Sequence, residues 1–148
     1  MGTDDRKNDK ARVLFVCIHN SARSQIAEAF LNHLAGDRFE AESAGIEPSE
    51  LNPLAVDVMR EVGIDISNNR SKKVFDLYKQ GRLYNYVVPV CDDAAEKCPI
   101  FPGFARVIQW SFQNPETFTG SYQERLIKMR GLREEIKNKI EQFIENKI

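Results

Sequence analysis

The stretch RVLFVCIHNSARSQIAEAFLNHL, from Arg12 to Leu34, decides the fold. Its first part, Arg12 to Val16, is a short β-branched and aromatic run, the pattern of a strand buried on both faces. The run breaks at CIHNSARS, Cys17 to Ser24. Beyond the break, apolar residues return at Ile26, Ala29, Phe30 and Leu34, a helical spacing that Gly36 closes. A buried strand, a short polar turn and an amphipathic helix open an α/β unit.

The alternation continues down the chain. Phe39 to Ala44 reads as a second strand, ending at Gly45. Asn52-Pro53 starts a helix through Val62, with Pro53 in the first turn and Gly63 past the end. Tyr86 to Val90 is a third buried strand and Ala105 to Gln109 a fourth. From about Tyr122 to Asn146, Leu126, Met129, Leu132, Ile136, Ile140 and Phe143 form one stripe of a long amphipathic helix. Strands alternating with helices predict an α/β three-layer sandwich, a four-stranded parallel sheet with helices on both faces. No repeat, low-complexity segment or linker divides it. Residues 1–10 are expected to be a disordered tail and residues 11–148 a single domain.

At 148 residues the chain can bury a core without disulfide staples. Its 42% hydrophobic and 29% charged residues are the balance of a soluble globular protein. A formal net charge of -1 gives no general attraction to nucleic acid or to a membrane surface, so any anion site must be local. The apolar run Val13 to Ile18 is too short to span a bilayer, and the N-terminal MGTDDRKNDKAR lacks the apolar stretch of a signal peptide. A reducing cytoplasm is the expected setting. The three cysteines there read as reactive thiols or simply buried ones, not as a disulfide framework.

In parallel sheets ligands bind at the carboxyl ends of the strands. The turn after the first strand is therefore the place to look for chemistry. A strand-to-helix turn gathers backbone N–H groups around one concavity, with the positive end of the helix dipole behind them. A tetrahedral oxyanion fits such a nest, and the planar fork of Arg23 can grip two of its oxygens. The same field lowers a thiol pKa, so Cys17 is expected to be a nucleophilic thiolate near neutral pH. Ser24 can donate to that sulfur, and Asn20 suits a left-handed turn. The bland alternative is a buried Cys followed by a surface Arg.

VLFVCIHNSARSQIAEAF resembles the phosphate-binding loop of the low-molecular-weight protein tyrosine phosphatases. It resembles more closely the loop of the arsenate reductases that share their fold, in which Arg-Ser-Gln after the loop is typical. SAGIEP, Ser43 to Pro48, and GIDIS, Gly63 to Ser67, resemble the same reductases, and the likeness runs from about Arg12 to the final helix. The resemblance implies a thioredoxin-coupled enzyme, a monomer, whose loop residues Ile18, His19, Asn20, Ser21, Ala22, Arg23 and Ser24 bind arsenate, with phosphate or sulfate as mimics. No tightly bound cofactor is expected, and no metal: zinc would want more ligands, His19 and His33 are the only histidines, and no CxxC occurs.

Cys91-Asp-Asp-Ala-Ala-Glu-Lys-Cys98 follows the third strand, so it too lies at the carboxyl edge of the sheet. As a helix it would return Cys98 to nearly the same face after about 700°, but with a rise of about 10 Å. That exceeds the roughly 7 Å over which two Cα atoms can be bridged, so a disulfide requires the segment to unwind. Two small hydrophobes filling gaps are the plain alternative. By resemblance to the reductases, Cys17 attacks arsenate, Cys91 attacks Cys17 and releases arsenite, and Cys98 resolves the disulfide to Cys91–Cys98 for a thioredoxin-like partner.

The sequence departs from that pattern twice. Where both families carry a general-acid Asp before Pro, this chain has Asn114-Pro115, and an amide cannot supply a proton. Asn114 is given a weak role, with Asp92 and Asp93 as other proton sources. Asn20, Glu28 and Ser43 also match the potassium site of some thioredoxin-coupled relatives, whereas Lys72 stands where an acid would complete it. Its ammonium takes the cation's place or is simply solvated beside Lys73. The rival classes are a phosphatase lacking its acid and a non-catalytic phosphate binder.

Overall fold

Val13, Leu14, Phe15 and Val16 have no exposed surface, which puts the strand they form in the middle of the sheet. The computed structural model describes residues 9–146, so most of the expected tail lies outside the described residues. Strand β1 (Ala11–Cys17) pairs in parallel with β2 (Phe39–Gly45) on one side and β3 (Tyr86–Pro89) on the other. Strand β4 (Arg106–Val107) completes a four-stranded parallel sheet of order β2-β1-β3-β4.

Alternate residues of β1 feed two cores. Val13, Phe15 and Cys17 pack with helices α1 (Arg23–Ala35), α2 (Pro53–Glu61) and α5 (Tyr122–Asn146). Leu14 and Val16 pack with the shorter helices α3 (Val74–Lys79) and α4 (Asp92–Lys97) on the opposite face. This is the expected three-layer arrangement. The six stripe residues of α5 are all buried, and Asn52 caps α2 by accepting the N–H of Leu54 at 2.9 Å.

Three local expectations change. Strand β4 is two residues long rather than Ala105 to Gln109, and both are exposed. Ile108 and Trp110 still donate to the carbonyls of Val87 and Pro89, but Pro89 has no N–H to return, so the ladder stops. The buried stripe of α1 is Ile26, Ala27, Phe30 and Leu31, while Leu34 is 40% exposed. Helix α3 and a 3-10 turn at Pro115–Thr117 were not foreseen. Among the described residues no helix is long and apolar enough to cross a membrane.

Candidate active site

The loop after β1 is held from outside through its carbonyls. Those of Cys17, Ile18, His19 and Ser21 accept the N–H groups of Ile46, Glu47, Ser49 and Asn52 at 2.7 to 3.0 Å. The carbonyl of Asn20 accepts from Gln25 Nε2 and Ser71 Oγ, and that of Ala22 from the N–H of Ile26. With the carbonyls committed outward, the amide N–H groups on the other side of the same planes face a common concavity. Helix α1 begins there at Arg23 with no side-chain cap and no acid in its first turn, which leaves its first N–H groups to an external anion.

Asn20 is the hinge of the loop. It has φ 53°, the one positive φ of a non-glycine among the described residues, and it is fully buried. Its N–H reaches Cys17 Sγ at 3.0 Å, and its Oδ1 accepts the N–H of Lys72 at 2.9 Å. Its Nδ2 donates to Ser24 Oγ at 2.8 Å, and Ser24 Oγ is also 2.8 Å from Cys17 Sγ, where its hydroxyl can donate to a thiolate. The sulfur is thus surrounded by donors suited to a thiolate.

Cys17 is also almost sealed, at 2% exposure. Burial pushes its thiol above the ordinary value, against the pull of Ser24, the Arg23 charge and the Asn20 N–H. The direction is opposite to the lowered pKa expected: loss of water outweighs the donors. Cys17 should be mainly protonated at neutral pH, with the thiolate gained as pH rises through the raised value. Alkylation of Cys17 by iodoacetamide should climb from neutrality past the ordinary thiol pKa, and phosphate or arsenate should slow it. A rate that plateaus below neutrality would contradict this assignment.

Arg23 is 8% exposed and donates from Nη1 to the carbonyl of Phe112 at 3.1 Å. That contact joins the loop to the segment after β4. A cavity of about 450 Å³ opens beside it, lined by Ile18, His19, Arg23, Cys91, Asp92 and Asn114 among others. A smaller recess over Cys17 is walled by Ser21, Ala22, Arg23, His19, Asn114 and Glu116. Asn20 and Ser24 line neither; they act on the sulfur.

Cys91 and Cys98 are free thiols at the two ends of α4, both in extended conformation. Because they flank the helix, the same-face relation expected for them does not hold. Cys91 faces the cavity with Arg23, whereas Cys98 lines an apolar groove of about 250 Å³ with Val87, Pro89 and Ile100. Burial pushes the Cys98 thiol up to about 11.

The low molecular weight phosphotyrosine protein phosphatase profile matches residues 12–146. The chain belongs to this family. Within it, arsenate reductases of Shouchella clausii and Bacillus subtilis are each 41% identical, over 92% and 90% of this chain and 96% and 94% of theirs. A solved structure described as an arsenate reductase in the phosphate binding state superposes with a TM-score of 0.72 at 29% identity, covering 91% of this chain and 97% of that one.

Against this phosphatase-family frame, the two departures take physical form. Asn114 sits at the rim of both cavities but uses Oδ1 to cap the 3-10 turn, accepting the N–H of Glu116 at 3.0 Å. Lys72 Nζ lies 3.9 Å from Glu28 Oε1, which also accepts from Ser43 Oγ at 2.7 Å. Burial raises the Glu28 pKa, with Ser43 and Lys72 opposing. The chain supplies a positive charge of its own at this carboxylate, and an added cation would be repelled by it.

Sequence reasoning missed Gly45 and the pairing of His19 with Glu116. Gly45 donates to the carbonyl of Lys72 at 2.7 Å and lies against the underside of the loop. Its place in the SAGIEP segment was the only signal.

Proposed function

We propose that this chain reduces arsenate to arsenite by a relay of Cys17, Cys91 and Cys98, as a single domain over residues 11–148 working as a cytoplasmic monomer. What carries the reading is one juxtaposition: a sulfur ringed by donors and a buried Arg23 at an uncapped helix start, with a second free thiol, Cys91, on the neighbouring cavity that Arg23 also lines. A phosphatase has no use for Cys91 or for Cys98 beyond it. The naming of the Shouchella and Bacillus relatives as arsenate reductases supports the same choice.

The loop N–H groups from Ile18 to Ser24 and the Arg23 guanidinium hold the oxyanion. Cys17 then loses its proton, attacks arsenic and forms a sulfur–arsenic bond as one arsenic oxygen leaves as water. Cys91 attacks the Cys17 sulfur; a disulfide forms, the sulfur–arsenic bond breaks, and its electron pair stays on arsenic, which departs as arsenite. Cys98 next displaces Cys17 to give Cys91–Cys98, and a thioredoxin-like dithiol takes up that disulfide, so two electrons enter for each arsenate reduced. No tightly bound cofactor is required.

Arsenate-dependent NADPH oxidation in the presence of thioredoxin and its reductase tests the reading. Sustained oxidation is expected. Brisk phosphotyrosine hydrolysis with no response to arsenate would instead favour the hydrolase.

Asn114 allows the two activities to be separated. A general acid typically contributes about 10²–10⁴-fold, and expelling a phenolate needs it more than expelling water. Asn114→Asp should keep the cap on Glu116, since Asp caps as well as Asn. It should raise hydrolysis of a phosphotyrosine peptide toward the lower end of that range and change arsenate reduction far less. The ratio of the two kcat/KM values on one preparation is the measurement.

A further inference from the structure

If Cys17 attacks an arsenic oxyanion, the oxygen that leaves needs a proton. Cys17 gives up its own proton before it attacks, and few other groups on the wall of the recess over it can give one. The Asn114 amide cannot, and a guanidinium such as that of Arg23 does not deprotonate in proteins. Asp92 is outside the recess, and its Oδ1 accepts from Gln109 Nε2 at 2.7 Å and Ser111 Oγ at 2.8 Å.

His19 and Glu116 remain, one from the loop and one from the 3-10 turn, and both wall the recess. His19 Nε2 lies 3.9 Å from Glu116 Oε2, and the two side chains are 36% and 51% exposed. The other ring nitrogen, Nδ1, is 2.9 Å from the carbonyl of Glu47. A carbonyl only accepts, so Nδ1 keeps a proton in both charge states, and Nε2 is the nitrogen that gains and loses one. Nε2 is therefore the nitrogen turned toward Glu116 Oε2, at the mouth of the recess and within reach of water.

We propose that His19 and Glu116 act as the proton donor for the departing oxygen, the role that Asn114 cannot fill. This rests on the arsenate reading above. In the step, the sulfur–arsenic bond forms and one arsenic–oxygen bond breaks, and arsenic stays pentavalent. A proton from the pair passes to that oxygen, which leaves as water, and solvent returns a proton to the pair. Cys17 and Arg23 face the pair from the loop and helix α1, and Cys91, Asp92 and Asp93 face it from the start of α4.

The test is the pH dependence of adduct formation, followed by rapid quench and mass spectrometry in a Cys91→Ser background, where the reaction should stop at the thio-arsenate. The parent should lose rate on an alkaline limb as the pair gives up its proton. Glu116→Gln keeps the shape of the side chain but has no proton to release. It should slow adduct formation roughly 100-fold and shift or erase that limb. Glu116→Asp should restore most of the rate, and His19→Gln should resemble Glu116→Gln. An unchanged limb in Glu116→Gln overturns the proposal, and so does a loss that Glu116→Asp fails to rescue. A parent that forms no adduct overturns the arsenate reading and this one with it, whereas a normal parent with indifferent variants overturns this one alone.

Discussion

Cys91→Ser is expected to abolish turnover while leaving the first chemical step intact, and Cys98→Ser to permit one turnover but not a second. The expectation follows from where the two sulfurs lie. Cys91 opens on the cavity that Arg23 lines, so it is the thiol able to reach an adduct on Cys17. Cys98 is at the other end of α4 in its apolar groove, and burial holds it protonated with a pKa of about 11. A protonated thiol is a poor nucleophile, so Cys98 attacks only after the segment opens and water reaches it. Helix α4 has six residues, well below the length at which an isolated helix is stable, so opening it costs little. Without Cys98 the Cys17–Cys91 disulfide still forms and one arsenite is released per chain. Without Cys91 none is released. Arsenite released per chain, counted with thioredoxin present, checks both statements; normal cycling by Cys98→Ser would rule out the relay as drawn.

Gly45→Ala is expected to cost nearly as much without touching the substrate. A Cβ on Gly45 would lie 2.7 Å from the Ile18 oxygen, 2.8 Å from the Asn20 nitrogen and 2.9 Å from the His19 carbonyl carbon. All three are backbone atoms of the loop, so no flexible side chain can yield. The Asn20 N–H that reaches Cys17 Sγ has to move, and with it the cradle. Misplacement on the order of 1 Å costs about 10²-fold in rate, and the overpacking about 1–3 kcal/mol of stability. Gly131→Ala is the control: it lies in α5 with nothing within 4 Å of the new methyl. It should raise stability by about 0.5–1 kcal/mol and leave arsenate reduction unchanged. Melting temperature and single-turnover rate, measured on both variants, separate the two outcomes.

Much of this arrangement is legible in the sequence where burial is two-sided or periodic. The β1 run reads correctly because a strand covered on both faces is apolar throughout, and α5 because one stripe of a long helix faces the core. Strand β4 is not legible in detail. Its two residues are exposed on an edge, and its length is set by a proline on the neighbouring strand. Helix α3 and the turn at Pro115 are too short for any periodicity to show.

The site divides in the same way. The spacing of Cys17, Arg23 and Ser24 finds the cradle, because the three flank one short turn from strand to helix. The state of the Cys17 thiol is misjudged, because the donors are local in sequence while the burial that opposes them is not. Cys91 and Cys98 suggest a shared helix face only if both belong to the helix, and both turn out to flank it. Gly45 and Glu116 meet the loop from distant parts of the chain, so no local pattern reveals them.

The most direct test of the relay is to give reduced wild-type protein one equivalent of arsenate without thioredoxin, quench with an alkylating agent and map the thiols by mass spectrometry. The relay predicts one arsenite per chain, a Cys91–Cys98 disulfide, and Cys17 recovered as a free, alkylated thiol. Three alkylated cysteines beside unchanged arsenate would contradict it.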